Sequence, residues 1–422
     1  MIKSLIIIRF KSFETASLPL GPFTVICGAN ASGKSNLRDA FRFLHGVSRG
    51  YSLSETFSGK YGEGGEKVWS GIRGGFLESA NESRGAFSIH AEMVLAQSGL
   101  RVNNVNYNLS VMPAQETGKP RVMTEGLKQV GETNWLFGTQ QGDSQLVTVK
   151  MKETNQGTWE LDFSRDQPVL TQITERLVNV RGSNSALEIT ETVNATIAAL
   201  GKMRFVNMNP DTMREPAFPG QLVLGDMGEN LPSVLQAICE DPQQKLALTE
   251  WLQELTPMDV SDVQFEPDPT GKIHLFLIEK NGRKTSAYSA SDGTLRFLGI
   301  LAALLGPKPA GFYFFEELEN GIHPTRLHLL VRLIEKQVAK GKIQVVATTH
   351  SPQVLAFLTE KSLEHAAVTY RLEGQPDTRI KRIMDIPYAR EVIQKKDLAS
   401  LHASGWLEDA IAFSENDEEG GQ

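Results

Sequence analysis

Gly28-Ala29-Asn30-Ala31-Ser32-Gly33-Lys34-Ser35 is the stretch that decides how the rest of this 422-residue sequence is read. It fits the pattern G-x-x-x-x-G-K-[ST], in which two glycines let the backbone turn tightly and aim successive N–H groups at phosphate oxygens. A strand-like run, Phe23 to Cys27, precedes it. Leu37, Ala40, Phe41 and Leu44 follow at i, i+3, i+4 and i+7, which predicts a helix from Lys34. The positive N-terminal end of that helix adds to the pull on an anion. Lys34 would reach the β- and γ-phosphates and Ser35 Oγ would ligate Mg²⁺. The expectation is a nucleotide site built from Gly28, Ala29, Asn30, Ala31, Ser32, Gly33, Lys34, Ser35 and Asn36.

Three later motifs bear on what happens to the nucleotide. Phe312 to Phe315 is a continuous apolar run, as in a central parallel strand, and it ends on Glu316-Glu317. A carboxylate at the end of such a strand can hold the Mg²⁺ shell, and the next can polarise an attacking water. Glu316 is therefore assigned to metal and Glu317 to the general base. Ser291-Asp292-Gly293 stands before an apolar stretch, Phe297 to Leu305. A Ser and a Gly there make an anion-binding helix end, and Ser and Asp are equally the usual capping residues. His350, in Thr349-His350-Ser351-Pro352, follows the buried run Ile343 to Ala347 and could contact the γ-phosphate or the water.

Between these motifs the sequence predicts Leu5 to Ile8 and several runs from Phe87 to Trp159 as strands. Asn184 to Leu200 and Asn230 to Leu255 read as helical zones, the second interrupted at Asp241-Pro242. Asp262 to Glu266 and Lys272 to Ile278 read as strands, and Pro324 opens an amphipathic helix closed by Gly341. The Gly- and Ser-rich stretch from Ser48 to Gly75 reads as loops. Strand–helix–strand order predicts a parallel α/β sheet, and the chain as one globular body.

Composition narrows the class. Two cysteines, Cys27 and Cys239, rule out a disulfide framework and suggest a reducing compartment. No apolar run approaches the ~20 residues of a membrane span, so a cytoplasmic protein without membrane contact is expected. The formal charge of −7 argues at first against gripping nucleic acid by charge. Six acids and no Lys or Arg fall in residues 401–422, however, so the first 400 residues are nearly neutral and a DNA-contacting face stays open.

In this order, the four motifs resemble the ABC-type ATPases, and more closely their SMC-like and RecF/OLD-like branch. GANASGKSNLRDAFRFL, SDGTLRFLGILAALL, FFEELENGIHP, ATTHSPQVL and the ending Asp397 to Phe413 are similar to bacterial ATPases of antiphage defence operons, such as those of Septu, PARIS and retron systems. The resemblance implies an α/β P-loop NTPase fold: an ABC-type head with a mixed sheet, from residues 1–95 and 204–413, a β-rich and helical insertion at 96–203, and an acidic tail at 414–422. It implies ATP and Mg²⁺ as cofactors and a homodimer sandwiching two ATP molecules, each site completed by Ser291, Asp292 and Gly293 of the other copy; a higher oligomer stays open. It also implies that Lys11 approaches the nucleotide, the alternative being a solvated strand end. His323 would cross the dimer interface or cap the turn at Pro324. Glu316 stands where the family usually has Asp, and Leu318 where Pro is usual. The glutamine that completes the Mg²⁺ shell is not placed among Gln140, Gln141 and Gln145.

No nuclease cluster is legible between Leu100 and Arg204, so the effector would be a separate chain, a nuclease or TOPRIM protein. The leading expectation is an ATPase subunit of a defence or DNA-surveillance complex. The alternative is a RecF-like ATPase that clamps DNA directly. A transporter subunit is disfavoured by the large β-rich insertion, and a GTPase by the lack of an N-K-x-D motif.

Overall fold

The computed structural model describes residues 1–80, 85–96, 102–113, 118–140, 145–151, 159–177, 184–255, 260–372, 374–386 and 389–394. Gln141, the segment 397–413 and the tail 414–422 lie outside them. The chain divides into two compact units where one body was expected. The first comprises Met1–Gly21, Gly28–Met203 and Ala367–Arg382; the second comprises Pro22–Cys27, Arg204–Ala366 and the described residues from Ile383.

An eight-stranded antiparallel sheet is the scaffold of the first unit. Its order is Glu160–Ser164, Leu146–Met151, Phe137–Thr139, Arg121–Gln129, Val102–Met112, Phe87–Ala96, Ile2–Phe10, Phe13–Pro19. The strands after residue 96 thus continue the sheet begun at the N-terminus. Period-2 alternation makes it one-sided: Phe87, Ile89, Ala91, Met93 and Leu95 are buried, while Ser88 and His90 between them are half-exposed. The helices Lys34–Ser48, Val169–Leu177 and Asn184–Gly201 pack with the buried face. Phe10, Phe43, Phe57 and Phe87 form one ring cluster there, with neighbouring centroids 5.1 to 6.4 Å apart. Each such ring contributes about 1.5–3 kcal/mol through burial.

The stretch read as loops holds more structure than expected. Ser52 Oγ accepts from Glu55 N and the Glu55 carboxylate accepts from Ser52 N, a capping box that opens the helix Leu53–Ser58. Lys60–Tyr61 and Lys67–Trp69 then pair as a short hairpin. The density of Gly and Ser hides the S-x-x-E signature.

Glu125 sits on the buried face and closes the N-terminus of Val169–Leu177. Its carboxylate accepts from Val169 N at 2.6 Å, Leu170 N at 2.8 Å and Tyr107 Oη at 2.9 Å. Burial pushes its pKa up to about 7, against the pull of those donors. The folded state therefore binds a proton that the unfolded chain releases near its ordinary value of 4.5. Stability from this group is full below that value and is lost as pH rises toward about 7, a change on the order of 3 kcal/mol. Urea midpoints measured from pH 5 to pH 8 should fall with rising pH, and Glu125→Gln should flatten that slope. An unchanged slope in the variant would remove Glu125 from the account.

The second unit is built on parallel strands. Phe312–Phe315 pairs with Gln344–Thr349, which pairs with Phe23–Cys27, all parallel. The strand Met203–Val206, which enters this unit at Arg204, lies beyond Phe312–Phe315. All residues of the three paired strands are buried, as both-sided coverage requires. The helices Asp292–Leu305 and Leu327–Val338 belong to the same unit, and Val260–Pro267, Ile273–Glu279 and Lys284–Ser286 form an antiparallel meander. Pro324 opens a 3₁₀ turn rather than the α-helix, which starts at Leu327 and ends at Val338. Register aligns Phe315 with Ala347, Ala347 with Val25, and Thr349 with Cys27. The carboxyl ends of Gln344–Thr349 and Phe23–Cys27 are thus level, while Phe312–Phe315 stops two residues short of them; in the chain the three are followed by His350, Gly28 and Glu316.

Candidate functional site

In the first unit, the loop after Cys27 has glycine where nothing larger fits. A Cβ on Gly28 would lie 2.5 Å from the Thr369 carbonyl and hydroxyl oxygens, and one on Gly33 would lie 2.5 Å from Thr378. Gly33 also holds φ 102°, in the left-handed region, and Ala31 holds φ 62°. Ser32 Oγ is 2.7 Å from Thr369 Oγ1. Ala29, Asn30 and Ala31 are exposed, and Ser35 and Asn36 are half-buried.

Lys34 Nζ donates to Gly28 O and Ala29 O at 2.6 Å each, which draws the ammonium over the loop. The 15-residue helix Lys34–Ser48 starts at Gly33 without a side-chain cap and without an acid in its first turn. The helix thus brings neither a capping side chain nor an acid of its own first turn to that end. Asn36 Nδ2 donates to Ser12 Oγ at 2.7 Å, and Thr378 Oγ1 donates to the same hydroxyl at 2.7 Å. The hairpin Ala367–Tyr370 and Arg379–Arg382 thus holds the loop through Thr369 and the turn at Ser12 through Thr378.

Lys11 is not a solvated strand end. Its Nζ donates to Asp39 Oδ2 at 2.6 Å and to Arg73 O at 2.7 Å, and its side chain is only 7% exposed. Asp39 lies on the P-loop helix, fully buried, and also takes Arg73 Nη2 at 3.0 Å. Burial lowers the Lys11 pKa, and Asp39 offsets only part of that. A cavity of about 370 Å³ opens beside these residues, lined by Lys11, Ser12, Asn36, Glu78, Arg371 and Asp377.

In the second unit, Glu317 carries a non-glycine φ of 49°, a sparsely populated conformation that surrounding bonds must hold. Its N–H donates to Thr348 Oγ1 at 3.1 Å, and Leu318 N donates to Thr348 O at 2.9 Å. His350 Nε2 stands 3.4 Å from Glu317 Oε1, and Asn320 Nδ2 donates to Glu317 Oε2 at 3.3 Å. His350 N donates to Glu319 Oε1 at 2.6 Å. Glu316 is half-buried, and it lines a cavity of about 200 Å³ together with Glu317 and Arg296.

Ser291 is the N-cap of Asp292–Leu305, its Oγ accepting from Thr294 N at 3.2 Å. Arg214 Nη2 donates to Asp292 Oδ1 at 2.6 Å and to Ala290 O at 3.1 Å, pinning the start of that helix. Any Cβ on Gly293 would run into the Gly321 carbonyl oxygen, so this glycine lets the helix start close against the loop that follows Glu317. His323 accepts from Thr325 N as the cap of the turn at Pro324. Cys27 is buried, as a small core residue.

The family model described as "AAA domain, putative AbiEii toxin, Type IV TA system" matches residues 23–171 and 242–356. The chain belongs to this AAA family. No curated protein matches the sequence. Among solved structures it is similar to an SMC head bound to the C-winged helix domain of ScpA, at 13% identity and TM-score 0.47, covering 90% of this chain and 97% of that one. The SMC head domain from Thermotoga maritima gives 12% identity and TM-score 0.40, with 90% and 98% covered. An SMC head with an extended coiled coil, bound to the C-terminal domain of ScpA and derived from Pyrococcus furiosus, gives 13% and 0.43, with 90% and 95% covered.

As an AAA-family P-loop NTPase, the chain has an α/β fold with parallel and antiparallel sheets. Its sequence-predicted residues fall into two sets. Gly28 through Asn36 and Lys11 lie in the first unit; Ser291, Asp292, Gly293, Glu316, Glu317 and His350 lie in the second. Within the second, the structure pairs Glu317 with His350 and packs Gly293 on the loop after them. Within the first, Lys11 is turned to Asp39. Sequence reading missed Thr369 and Thr378, which brace the P-loop from more than 330 residues away, and it missed Asp39. Only Asp39 left a trace, as a carboxylate among the apolar positions of an amphipathic helix. Among the described residues, no helix is long and apolar enough to cross a membrane.

Proposed function

We infer that this chain binds and hydrolyses ATP and uses the cycle to regulate a separate effector protein. The observation that carries the reading is the P-loop itself. Both glycines are sterically required, the Lys34 ammonium is already drawn over the loop, and an uncapped helix end lies behind it. These features fit a polyphosphate. Lys34 and the loop N–H groups would bind the β- and γ-phosphates, and Ser35 and Glu316 are the residues that would hold Mg²⁺, whose charge would offset that of the phosphate oxygens. Glu317 takes the proton of the attacking water. His350 orients that carboxylate and contacts the γ-phosphate. In a homodimer, Ser291, Asp292 and Gly293 of one copy close the site of the other.

The biological setting we propose is a cytoplasmic bacterial antiphage-defence or DNA-surveillance complex, with a nuclease or TOPRIM protein as effector. Sizing chromatography of the full chain with and without ATP and Mg²⁺ tests the switch. An ATP-dependent dimer is expected, and a chain whose size ignores ATP would overturn the sandwich.

The nucleoside goes to the cavity lined by Ser12 and Asn36. Arg371 and Asp377 would then contact it, and Thr378 holds the Arg371 side chain at 3.4 Å. Arg371→Ala should weaken ATP about tenfold while leaving inorganic tripolyphosphate unchanged, as read by calorimetry. Equal loss for both ligands would place Arg371 on the phosphates instead.

A further inference from the structure

The outer face of the eight-stranded sheet carries a cavity that ATP turnover does not use. Its volume is about 560 Å³, inside the roughly 300–1,000 Å³ of small-molecule sites. Its floor is a straight row across five strands: His90 opposite Asn108, Asn108 opposite Gly126, Gly126 opposite Gly138, and Gly138 opposite Lys150. Residues opposite one another share a face of the sheet. The row therefore offers an imidazole and an amide at one end, two glycines beneath the Trp135 ring in the middle, and at the other end an ammonium whose cross-strand neighbour is Glu160. Ser110 stands opposite Ser88 and Thr124 and adds hydroxyls beside it.

An ordinary outer face of a one-sided sheet is a solvated array of side chains, and this one departs from that in two ways. Two glycines face each other in neighbouring strands, which weakens both strands and makes room for a ring above them. Trp135 is laid across them, 2.7 Å from where a Gly126 Cβ would be, and stays 39% exposed as a wall. The buried side of the same strands is complete without it, filled by Tyr107, Leu109 and Leu127.

The lining also selects a ligand class. Asn108, Gln140 and the hydroxyls both donate and accept, which suits the mixed edge of a nucleobase. Among the described lining residues the one carboxylate, Glu125, is turned to the buried side to close the helix Val169–Leu177, and Glu160 stands opposite Lys150 at the edge of the cavity. Burial lowers the His90 pKa, which leaves its ring neutral and able to donate and accept. Three inter-strand spacings, about 14 Å, separate the Asn108 and Lys150 backbones. A base held at Asn108 would place its phosphate within reach of the Lys150 side chain.

We propose that this cavity binds a nucleobase together with its 5′-phosphate, independently of the P-loop. The source is either a free nucleotide or one nucleotide of a single strand, and the two share this chemistry.

The test uses full-length protein carrying Lys34→Ala, so that the P-loop does not contribute. AMP, GMP, CMP, UMP and a short thymidylate oligomer are titrated separately by calorimetry. Saturable binding of at least one probe is expected. Asn108→Ala and Lys150→Ala should each weaken it about tenfold or more, and Ser110→Phe, which fills the cavity from the outer face, should abolish it. Binding by mononucleotides assigns the free source, and binding by the oligomer alone assigns the strand. The proposal is overturned if no probe binds, or if binding survives Asn108→Ala and Lys150→Ala unchanged in variants whose melting matches the parent. Because the parent already lacks Lys34, failure here leaves the ATPase reading untouched.

Discussion

Glu317→Gln is expected to lower ATP turnover by about 10²–10⁴-fold while leaving ATP binding intact, the usual contribution of a positioned general base. The substitution keeps the size of the side chain and the backbone bonds that hold φ at 49°, namely Glu317 N to Thr348 Oγ1 and Leu318 N to Thr348 O. It removes only the ability to take a proton from water. His350, 3.4 Å away, loses its anionic partner but keeps a hydrogen-bonding one. With hydrolysis blocked, the ATP-bound dimer should persist, and sizing chromatography should show it long after the wild-type dimer has come apart. Phosphate release measured alongside separates the two effects. Wild-type turnover in the variant would sink the assignment of Glu317 as base.

Lys34→Ala should weaken ATP by at least about 100-fold, because charge-assisted hydrogen bonds to phosphate are lost together with a full positive charge. The fold should survive. The two carbonyls that Lys34 now satisfies, Gly28 O and Ala29 O, belong to a loop whose next residues, Ala29 to Ala31, are exposed, so water can replace the ammonium. The variant should therefore melt close to the wild type yet show no ATP-dependent dimer. Isothermal titration and a melting curve on the same sample make the comparison. Retention of wild-type affinity would remove the P-loop from the mechanism.

Much of the fold was legible because it follows local rules. FTVIC, FYFF and the run ending at Ala347 are apolar but for Thr24 and Gln344, and only strands covered on both faces look like that. The helix at Lys34 announced itself by its spacing, and the N-cap role of Ser291 by residue type. The helix Leu53–Ser58 escaped because its capping box is embedded in Gly and Ser. Lys11 illustrates a different limit. A basic residue at a strand end reads the same whether it faces solvent, a nucleotide or a carboxylate. The choice of Asp39 was made by packing of the P-loop helix against the turn after Phe10.

By itself the sequence determined the P-loop, the apolar strands ending at Cys27, Phe315 and Ala347 (the last of which the structure carries on to Thr349), and the carboxylates and imidazole that follow two of them. Those are properties of short segments, set by side-chain period and by the small set of residues that a phosphate-binding turn tolerates. Only the tertiary structure decided that Thr369 and Thr378 brace the P-loop, that Gly293 must be glycine because Gly321 O lies against it, and that His90, Asn108, Gly126, Gly138 and Lys150 share one row. Each of these depends on strand register or on contact between residues far apart in the chain. Register is fixed by the burial of a whole sheet face, which no single segment encodes.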